Sequence, residues 1–255
     1  SSWGTLVYKG STNTGDVYGK RLYALYVDSS GALEFDSTSV NDADVTETYL
    51  PTSESVLSVN NWSYVVGVID SVSGYLKIYV NGEEVASTSY STTGIRQGSG
   101  DVFLGINNSD GSDVLDGVMD EVKLYNRALS SEEIFDAYTL SKETFGRKND
   151  GLVSYWNMDE TSGTSVKDSI GINNGTAAGT TVVDGIVNKG RSFDGVDDYV
   201  RIPNSSSLDI NGSGSQVSIA FWVKLDSMPP SSWGTLVYKG STNTGDVYGK
   251  RLYAL

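Results

Sequence analysis

The chain has 255 residues, with 32 acidic and 18 basic side chains, a formal net charge of −14, and neither cysteine nor histidine. This charge argues against binding to nucleic acids and anionic membranes, which need clustered lysine and arginine. The missing residue types exclude disulfides, a Ser-His-Asp triad, a cysteine nucleophile and a typical zinc site, but leave oxygen ligands for a hard cation such as Ca²⁺.

Short strand patterns separated by glycine-rich turns fill the first half of the chain. Their alternation predicts strands at TLVYKG, RLYALYVD, ALEFDS, SYVVGVIDS, YLKIYV and DVFLGIN. Asn81-Gly82, between YLKIYV and EEVAS, is the strongest short signal for a β-hairpin. So many short strands predict an all-β chain, an antiparallel β-sandwich jelly roll.

One segment favours a helix instead. Ser130 and Ser131 offer hydroxyl caps, two glutamates follow, and the next apolar residues recur at helical spacing. We predict one short helix over residues 130–138. Residues 141–150 are polar and poorly patterned, so we predict a linker or exposed strap there.

Strand patterns resume at residue 151 with GLVSYWNMDE, DDYVRIP and SIAFWVKLD. In the last of these, alternation places Trp222 with Ala220 and Lys224, on the face opposite the apolar residues Ile219, Phe221, Val223 and Leu225. No apolar run is long enough to span a bilayer, and no signal peptide is evident, so we expect an internal segment of a larger protein.

Residues 231–255 repeat residues 1–25, SSWGTLVYKGSTNTGDVYGKRLYAL, letter for letter, which sets a period of 230. Two predicted strands lie in this stretch, and only one copy of each can occupy its place in one domain. The chain is a window on an array of near-identical repeats, an engineered permutant, or a protein that donates a strand to a neighbouring subunit. We favour the array, with strand exchange between repeats as a possible addition.

Five stretches carry a family signal: GLVSYWNMDETSGTSVKDSIGINNGTAAG, RSFDGVDDYVRIPNS, VSIAFWVKL, NNWSYVVGVIDSVSGYLKIYVNGEEV and GVMDEVKLYNRALSSEEI. They resemble the laminin-G-like jelly-roll domains of the concanavalin A-like lectin and glucanase superfamily. In such domains the GLVSYWNMDE-like segment comes first and the MDEVKLYNRALS-like segment comes last. We therefore assign residues 1–140 to the C-terminal two thirds of one sandwich, 141–150 to a linker, and 151–255 to the N-terminal part of the next repeat.

Candidate metal ligands are carboxylates and one amide. Strict alternation along residues 117–125 places Asp120 with Val118, Val122 and Leu124, so its inward carboxylate needs a metal, backbone donors or an arginine. The family resemblance implies a structural Ca²⁺ here. The further candidates are Asp159, Asp168 and Asn174, although the last two could simply stabilise their glycine-rich turn.

Three other acidic stretches bear on metal binding or catalysis. Asp198 shares its strand parity with Val200 and Ile202, so its carboxylate also points inward. Residues 107–116 are acid-rich, but they lack the spacing of an EF-hand and favour a solvated hairpin tip. Glu34-Phe35-Asp36 begins the Glu-x-Asp-x-x-Glu motif of related hydrolases, but Ser39 replaces the second glutamate, so we predict no enzyme.

Two features of the sequence bear on carbohydrate binding and on glycosylation. Exposed aromatic residues could stack on a glycan, the candidates being Trp3, Tyr8, Tyr18, Tyr23, Trp62 and Trp222. Five N-glycosylation sequons occur, at Asn61, Asn107, Asn174, Asn204 and Asn211. They are compatible with a glycosylated surface protein without establishing one.

The sequence therefore favours a non-catalytic structural or adhesive repeat of an extracellular surface protein or filament, such as an adhesin. Its expected partners are neighbouring identical repeats or subunits, with glycans or surface proteins as further candidates, and not nucleic acid or membrane interiors. The alternative is a calcium-assisted carbohydrate-binding module of a secreted enzyme.

Overall fold

The computed structural model describes residues 22–40, 45–52, 54–96, 98, 100–107, 113–139, 150–229 and 233–240. The strands of the first half are β1 (Tyr23–Asp28), β2 (Leu33–Val40), β3 (Val45–Pro51), β4 (Trp62–Asp70), β5 (Tyr75–Val80), β6 (Glu83–Ser89), β7 (Asp101–Leu104) and β8 (Asp116–Tyr125). The helix α1 (Ser131–Thr139) follows. The strands of the second half are β9 (Leu152–Trp156), β10 (Ser165–Val166), β11 (Gly175–Ala178), β12 (Thr181–Asp184), β13 (Lys189–Asp194), β14 (Tyr199–Ile202), β15 (Gln216–Leu225) and β16 (Trp233–Gly240), with a 3-10 helix at Ser206–Leu208.

The strands form two antiparallel sheets. The first sheet has the order β10-β11-β14-β7-β16-β1-β2-β3. The second has the order β12-β13-β8-β15-β4-β5-β6, and β9 pairs with β8 off this path. Each sheet contains strands from both halves of the chain, and the predicted all-β sandwich of jelly-roll type is confirmed.

The duplicated stretch contributes to the first sheet from both of its copies. Strand β16 comes from the second copy, and it lies between β7 and β1, where Tyr238 pairs with Phe103 and Ala24. The first three residues of β1 come from the first copy. Residues 1–21 and 241–255 lie outside the described residues, as do residues 141–149 of the predicted linker and 108–112 of the predicted hairpin tip.

The main core fills the space between the two sheets. Its largest fully buried apolar side chains include Phe35, Trp156, Phe193 and Phe221. Trp156 also donates its indole N–H to the carbonyl of Asn173 at 2.7 Å, so its one polar atom is paired. In the described part of the chain, no helix combines the length and apolar character needed to cross a bilayer.

The predicted helix is confirmed, and it begins with a capping box. Ser130 Oγ accepts the backbone N–H of Glu133 at 3.2 Å, and Glu133 Oε2 accepts the N–H of Ser130 at 3.0 Å. Arg127 adds two bonds to the same Glu133 carboxylate, at 2.8 and 2.9 Å. The helix packs on the outer face of the second sheet, where Tyr138 lies 5.8 Å from the ring of Trp222.

The prediction of strict alternation along β8 is wrong. The pairing with β15 shifts between Ala220 and Trp222, so two residues of β8 oppose Phe221. Such a β-bulge places successive side chains out of phase. Met119, rather than Val118, joins Val122 and Leu124 in the main core. The alternation predicted for β15 is confirmed, because Trp222 and Ala220 pack outside while Phe221 faces the core.

Candidate functional site

The β8 bulge creates a buried polar cluster in the second sheet. Glu121 has a left-handed backbone (φ 57°) at this bulge, which is a strained conformation for a residue with a side chain. Asp120 is fully buried and Glu121 is 8% exposed. Two adjacent acids are therefore removed from water at one irregular point of an otherwise regular strand.

Asp120 binds the turn between β12 and β13. Its Oδ1 accepts the backbone N–H of Glu121 at 2.8 Å, and its Oδ2 accepts that of Val187 at 2.9 Å. Burial raises the pKa of Asp120 to about 8, and the nearby charges of Glu121 and Asp159 act in the same direction. An added Cβ at Gly185 would collide with Asp120 Oδ2, so the close approach of this turn requires a glycine.

Asp159 binds the same turn. Its Oδ1 accepts the backbone N–H of Lys189 at 3.1 Å, and its Oδ2 accepts the side-chain amide of Asn188 at 3.0 Å. The structure thus brings Asp120 and Asp159 to one turn, as ligands of one ion would need. Their oxygens already accept N–H donors, so an ion here would also need carbonyl or water oxygens.

Glu121 has cationic and phenolic partners. Its Oε2 accepts the hydroxyl of Tyr155 at 2.6 Å and lies 3.3 Å from Lys123 Nζ. The same ammonium group lies 4.4 Å from the centre of the Tyr155 ring. Burial lowers the pKa of Lys123 and raises the pKa of Tyr155. Glu121, Lys123 and Tyr155 thus form a compact polar network centred on Oε2 of Glu121.

Asp168 and Asn174 lie together in a separate loop. Asp168 Oδ1 accepts the backbone N–H of Tyr155 at 3.0 Å, and Oδ2 accepts that of Asn173 at 3.2 Å. Asn174 Oδ1 in turn accepts the N–H of Asp168 at 2.9 Å. These contacts are typical of a stabilised turn. The four predicted ligands therefore lie in two places, Asp120 with Asp159 and Asp168 with Asn174, which are connected through β9.

A third acidic group lies in the turn between β13 and β14. Carboxylate oxygens of Asp194, Asp197 and Asp198 all lie within 4.8 Å of one another, the one such group in the described part of the chain. Burial raises the pKa of Asp198, and the charge of Asp194 adds to this shift. The prediction considered Asp198 but missed Asp194 and Asp197, although the close spacing of acids in DGVDD was a signal. An all-oxygen donor set fits Ca²⁺ chemically.

Most of the candidate sugar-stacking residues are buried or lie outside the described residues. Trp3, Tyr8 and Tyr18 belong to the latter group. Tyr23 is buried, and Trp222 is half-buried between Tyr64, at 5.2 Å, and the helix. Trp62 is half-buried, with Lys224 Nζ 6.0 Å from its ring.

A polar cleft of about 520 Å³ lies beside the 3-10 helix. Its polar lining includes Asn126, Ser206, Ser207, Asp209, Asn211 and Gln216. No aromatic ring belongs to this lining, which is drawn from the described residues. The cleft therefore offers hydroxyl, amide and carboxylate groups to a ligand but no stacking platform.

A family model of laminin-G type, described as the concanavalin A-like lectin/glucanases superfamily, matches residues 1–135. No curated protein matches the chain. The match covers more than half of the chain, and the two antiparallel sheets agree with it. The chain belongs to the laminin-G-like branch of the concanavalin A-like lectin/glucanase superfamily.

Proposed function

We propose that the chain is a non-catalytic structural or adhesive repeat of an extracellular surface protein, in which laminin-G-like units recur with a period of 230 residues. One observation carries this proposal: a single position in the first sheet, between β7 and β1, has two identical candidate segments in the chain. Residues 233–240 occupy it, and residues 3–10 have the same sequence. A surplus strand of this kind suits exchange between neighbouring repeats or subunits.

The contacts of β16 explain why this position is specific. Thr235, Leu236, Tyr238 and Lys239 are fully buried, and both edges of the strand form antiparallel ladders. Residues 3–10 offer the same side chains in the same order, so either copy would bury the same apolar area and form the same hydrogen bonds.

Chain connectivity does not strongly favour either copy. Residues 226–232 link β15 to residues 233–240, and residues 11–22 would link residues 3–10 to β1. For loops of these lengths, the closure free energies differ by only about 0.5 kcal/mol. An array can therefore form each sandwich from its own strand or from that of the next repeat.

Complementation between chains tests this proposal. The double variant Leu6→Asp/Leu236→Asp places a charge at the apolar centre of both copies and should leave the position unfilled. A peptide with the sequence of residues 1–10 should then bind the double variant and raise its melting temperature. The control peptide carries the same Leu→Asp change. Stabilisation by neither peptide, or by both equally, would contradict the proposal.

The structure of β2 supports the non-catalytic part of the proposal. Glu34 and Asp36 are buried, at 8% and 1% exposure, and Ser39 stands where the hydrolase motif has its second glutamate. A retaining glycosidase needs two carboxyl groups about 5 Å apart across the scissile bond. The replacement of the second glutamate by Ser39 and the burial of Glu34 and Asp36 both disfavour this chemistry.

The alternative is a calcium-assisted carbohydrate-binding module of a secreted enzyme. The polar cleft beside the 3-10 helix favours it, because hydroxyl and amide groups recognise sugars. A glycan array with and without Ca²⁺ distinguishes the two functions. Binding to a defined glycan that is lost on Asn211→Ala would favour the module, and binding to none would favour the repeat.

We also propose a structural Ca²⁺, with two candidate positions. The first is the predicted pair Asp120 and Asp159 at the turn between β12 and β13; Asp168 and Asn174, the other two predicted ligands, lie in a separate loop. The turn with Asp194, Asp197 and Asp198 is the competing position, supported by its three convergent carboxylates. In a chain without disulfides, an ion bound only by the folded state adds stability.

A further inference from the structure

Lys239 is an ammonium side chain placed where water does not reach. It is fully buried on β16. Its Nζ donates to the carbonyl of Gly100 at 2.7 Å and to Asn204 Oδ1 at 2.6 Å, and it lies 3.6 Å from Asp209 Oδ1. An ion buried this deeply is costly unless it is fully paired.

Asn204 and Asp209 complete a closed triangle with this lysine. Asn204 Nδ2 donates to Asp209 Oδ2 at 3.2 Å. The backbone N–H of Asn204 is held by Asp101 Oδ1 at 2.8 Å, which fixes the position of the residue. One carboxylate therefore contacts both the amine nitrogen of the lysine and the amide nitrogen of the asparagine.

We propose that Lys239 and Asn204 form an intramolecular isopeptide bond, with Asp209 as the proton-transfer group. The uncharged Nζ attacks the side-chain carbonyl carbon of Asn204, a carbon–nitrogen bond forms, and the amide nitrogen leaves as ammonia. A lysine amine and an asparagine amide thus give one secondary amide and one ammonia. No oxidant, metal or cofactor is needed.

The position of Asp209 suits this proton transfer. Its Oδ1 faces the attacking nitrogen and its Oδ2 faces the leaving nitrogen. The carboxylate can accept the proton that Nζ loses and deliver it to the departing amide nitrogen. Burial lowers the pKa of Lys239 to about 8, so the reactive uncharged amine is accessible near neutral pH. The orientation of the reacting groups is fixed by the fold before the reaction.

The bond would be a covalent cross-link within the first sheet. It would join β16 to the loop after β14 and span the intervening strand β7. Without cysteine, the chain has no disulfide to serve this purpose. The bond would also fix in place whichever copy of the duplicated strand fills the position between β7 and β1.

Intact-mass spectrometry of the purified chain tests the proposal. After incubation at pH 8, the mass should fall below the sequence mass by one ammonia, and the reaction should be slower at pH 6. A succinimide at Asn-Gly loses the same mass, so a tryptic map must locate the change. The expected product joins the fragment 202–224, which contains Asn204, to the fragment 225–250, which contains an uncleaved Lys239.

Matched variants sharpen the test. Asn204→Ala and Lys239→Ala should abolish the joined fragment, and Asp209→Ala should slow its formation by tenfold or more. The controls Asn211→Ala, in the same loop, and Lys9→Ala, in the other copy, should leave it unchanged. An unaltered wild-type mass after incubation, or a loss of ammonia that the tryptic map places at Asn-Gly alone, would overturn the proposal.

Discussion

The backbone N–H of Val187 donates to Asp120 Oδ2 at 2.9 Å, so a fully buried carboxylate on β8 holds the turn between β12 and β13. The other oxygen of this carboxylate, Oδ1, accepts the backbone N–H of Glu121 at the bulge. Removing either acceptor leaves a buried backbone donor unpaired, which generally costs about 1–3 kcal/mol.

Asp120→Asn tests this relationship through pH. Burial raises the pKa of Asp120 from 3.8 to about 8, so its contribution to stability is largest below pH 4 and is lost as the pH rises towards 8. The variant does not titrate, so the wild type should lose stability relative to it between about pH 4 and 8. Urea denaturation across this range measures the difference. Asp150→Asn, at an exposed side chain, is the control, and equal pH slopes for wild type and Asp120→Asn would contradict the account.

Gly185→Ala should destabilise the same turn. The added methyl group would collide with Asp120 Oδ2 and with the carbonyl of Lys189. We expect a loss of about 1–3 kcal/mol, typical of overpacking against a buried side chain. Thermal unfolding measures it, with Gly163→Ala as a comparison at an open position whose backbone alone is strained. A Gly185→Ala variant no less stable than Gly163→Ala would be inconsistent with the close approach.

Calcium should raise the melting temperature, and chelation should lower it. At a hundredfold excess over Kd, an ion bound only by the folded state contributes about 2.7 kcal/mol. Asp198→Asn should abolish this effect if the ion lies in the turn between β13 and β14, whereas Asp159→Asn should abolish it at the predicted position. No change on chelation would remove the calcium proposal altogether.

The helix cap provides a further test. Ser130→Ala removes the acceptor for the Glu133 N–H, and such a loss generally costs about 1 kcal/mol. Ser131→Ala, one residue later and inside the helix, should change stability much less. Chemical denaturation followed by tryptophan fluorescence is suitable, because the helix covers Trp222. Equal losses in both variants would argue against the cap.

The sequence predicted those features that follow from local patterns. The capping residue Ser130, the alternation of Trp222 against Phe221 and the sandwich itself are all of this kind. The bulge at Glu121 was not predictable, because it depends on how β8 meets β15 rather than on alternation in either strand alone. For the same reason, the division of the predicted ligands between two places, Asp120 with Asp159 and Asp168 with Asn174, required the tertiary structure. The contact of Lys239 with Asn204 depends on a strand order that no local pattern encodes.

The most direct test of the repeat proposal compares Leu6→Ala, Leu236→Ala and the double variant by urea denaturation. If either copy can fill the position between β7 and β1, each single variant should lose less than about 1 kcal/mol, because the intact copy replaces the altered one. The double variant should lose about 2–5 kcal/mol, as expected for a buried leucine. A full loss in Leu236→Ala alone, with no effect of Leu6→Ala, would contradict the account.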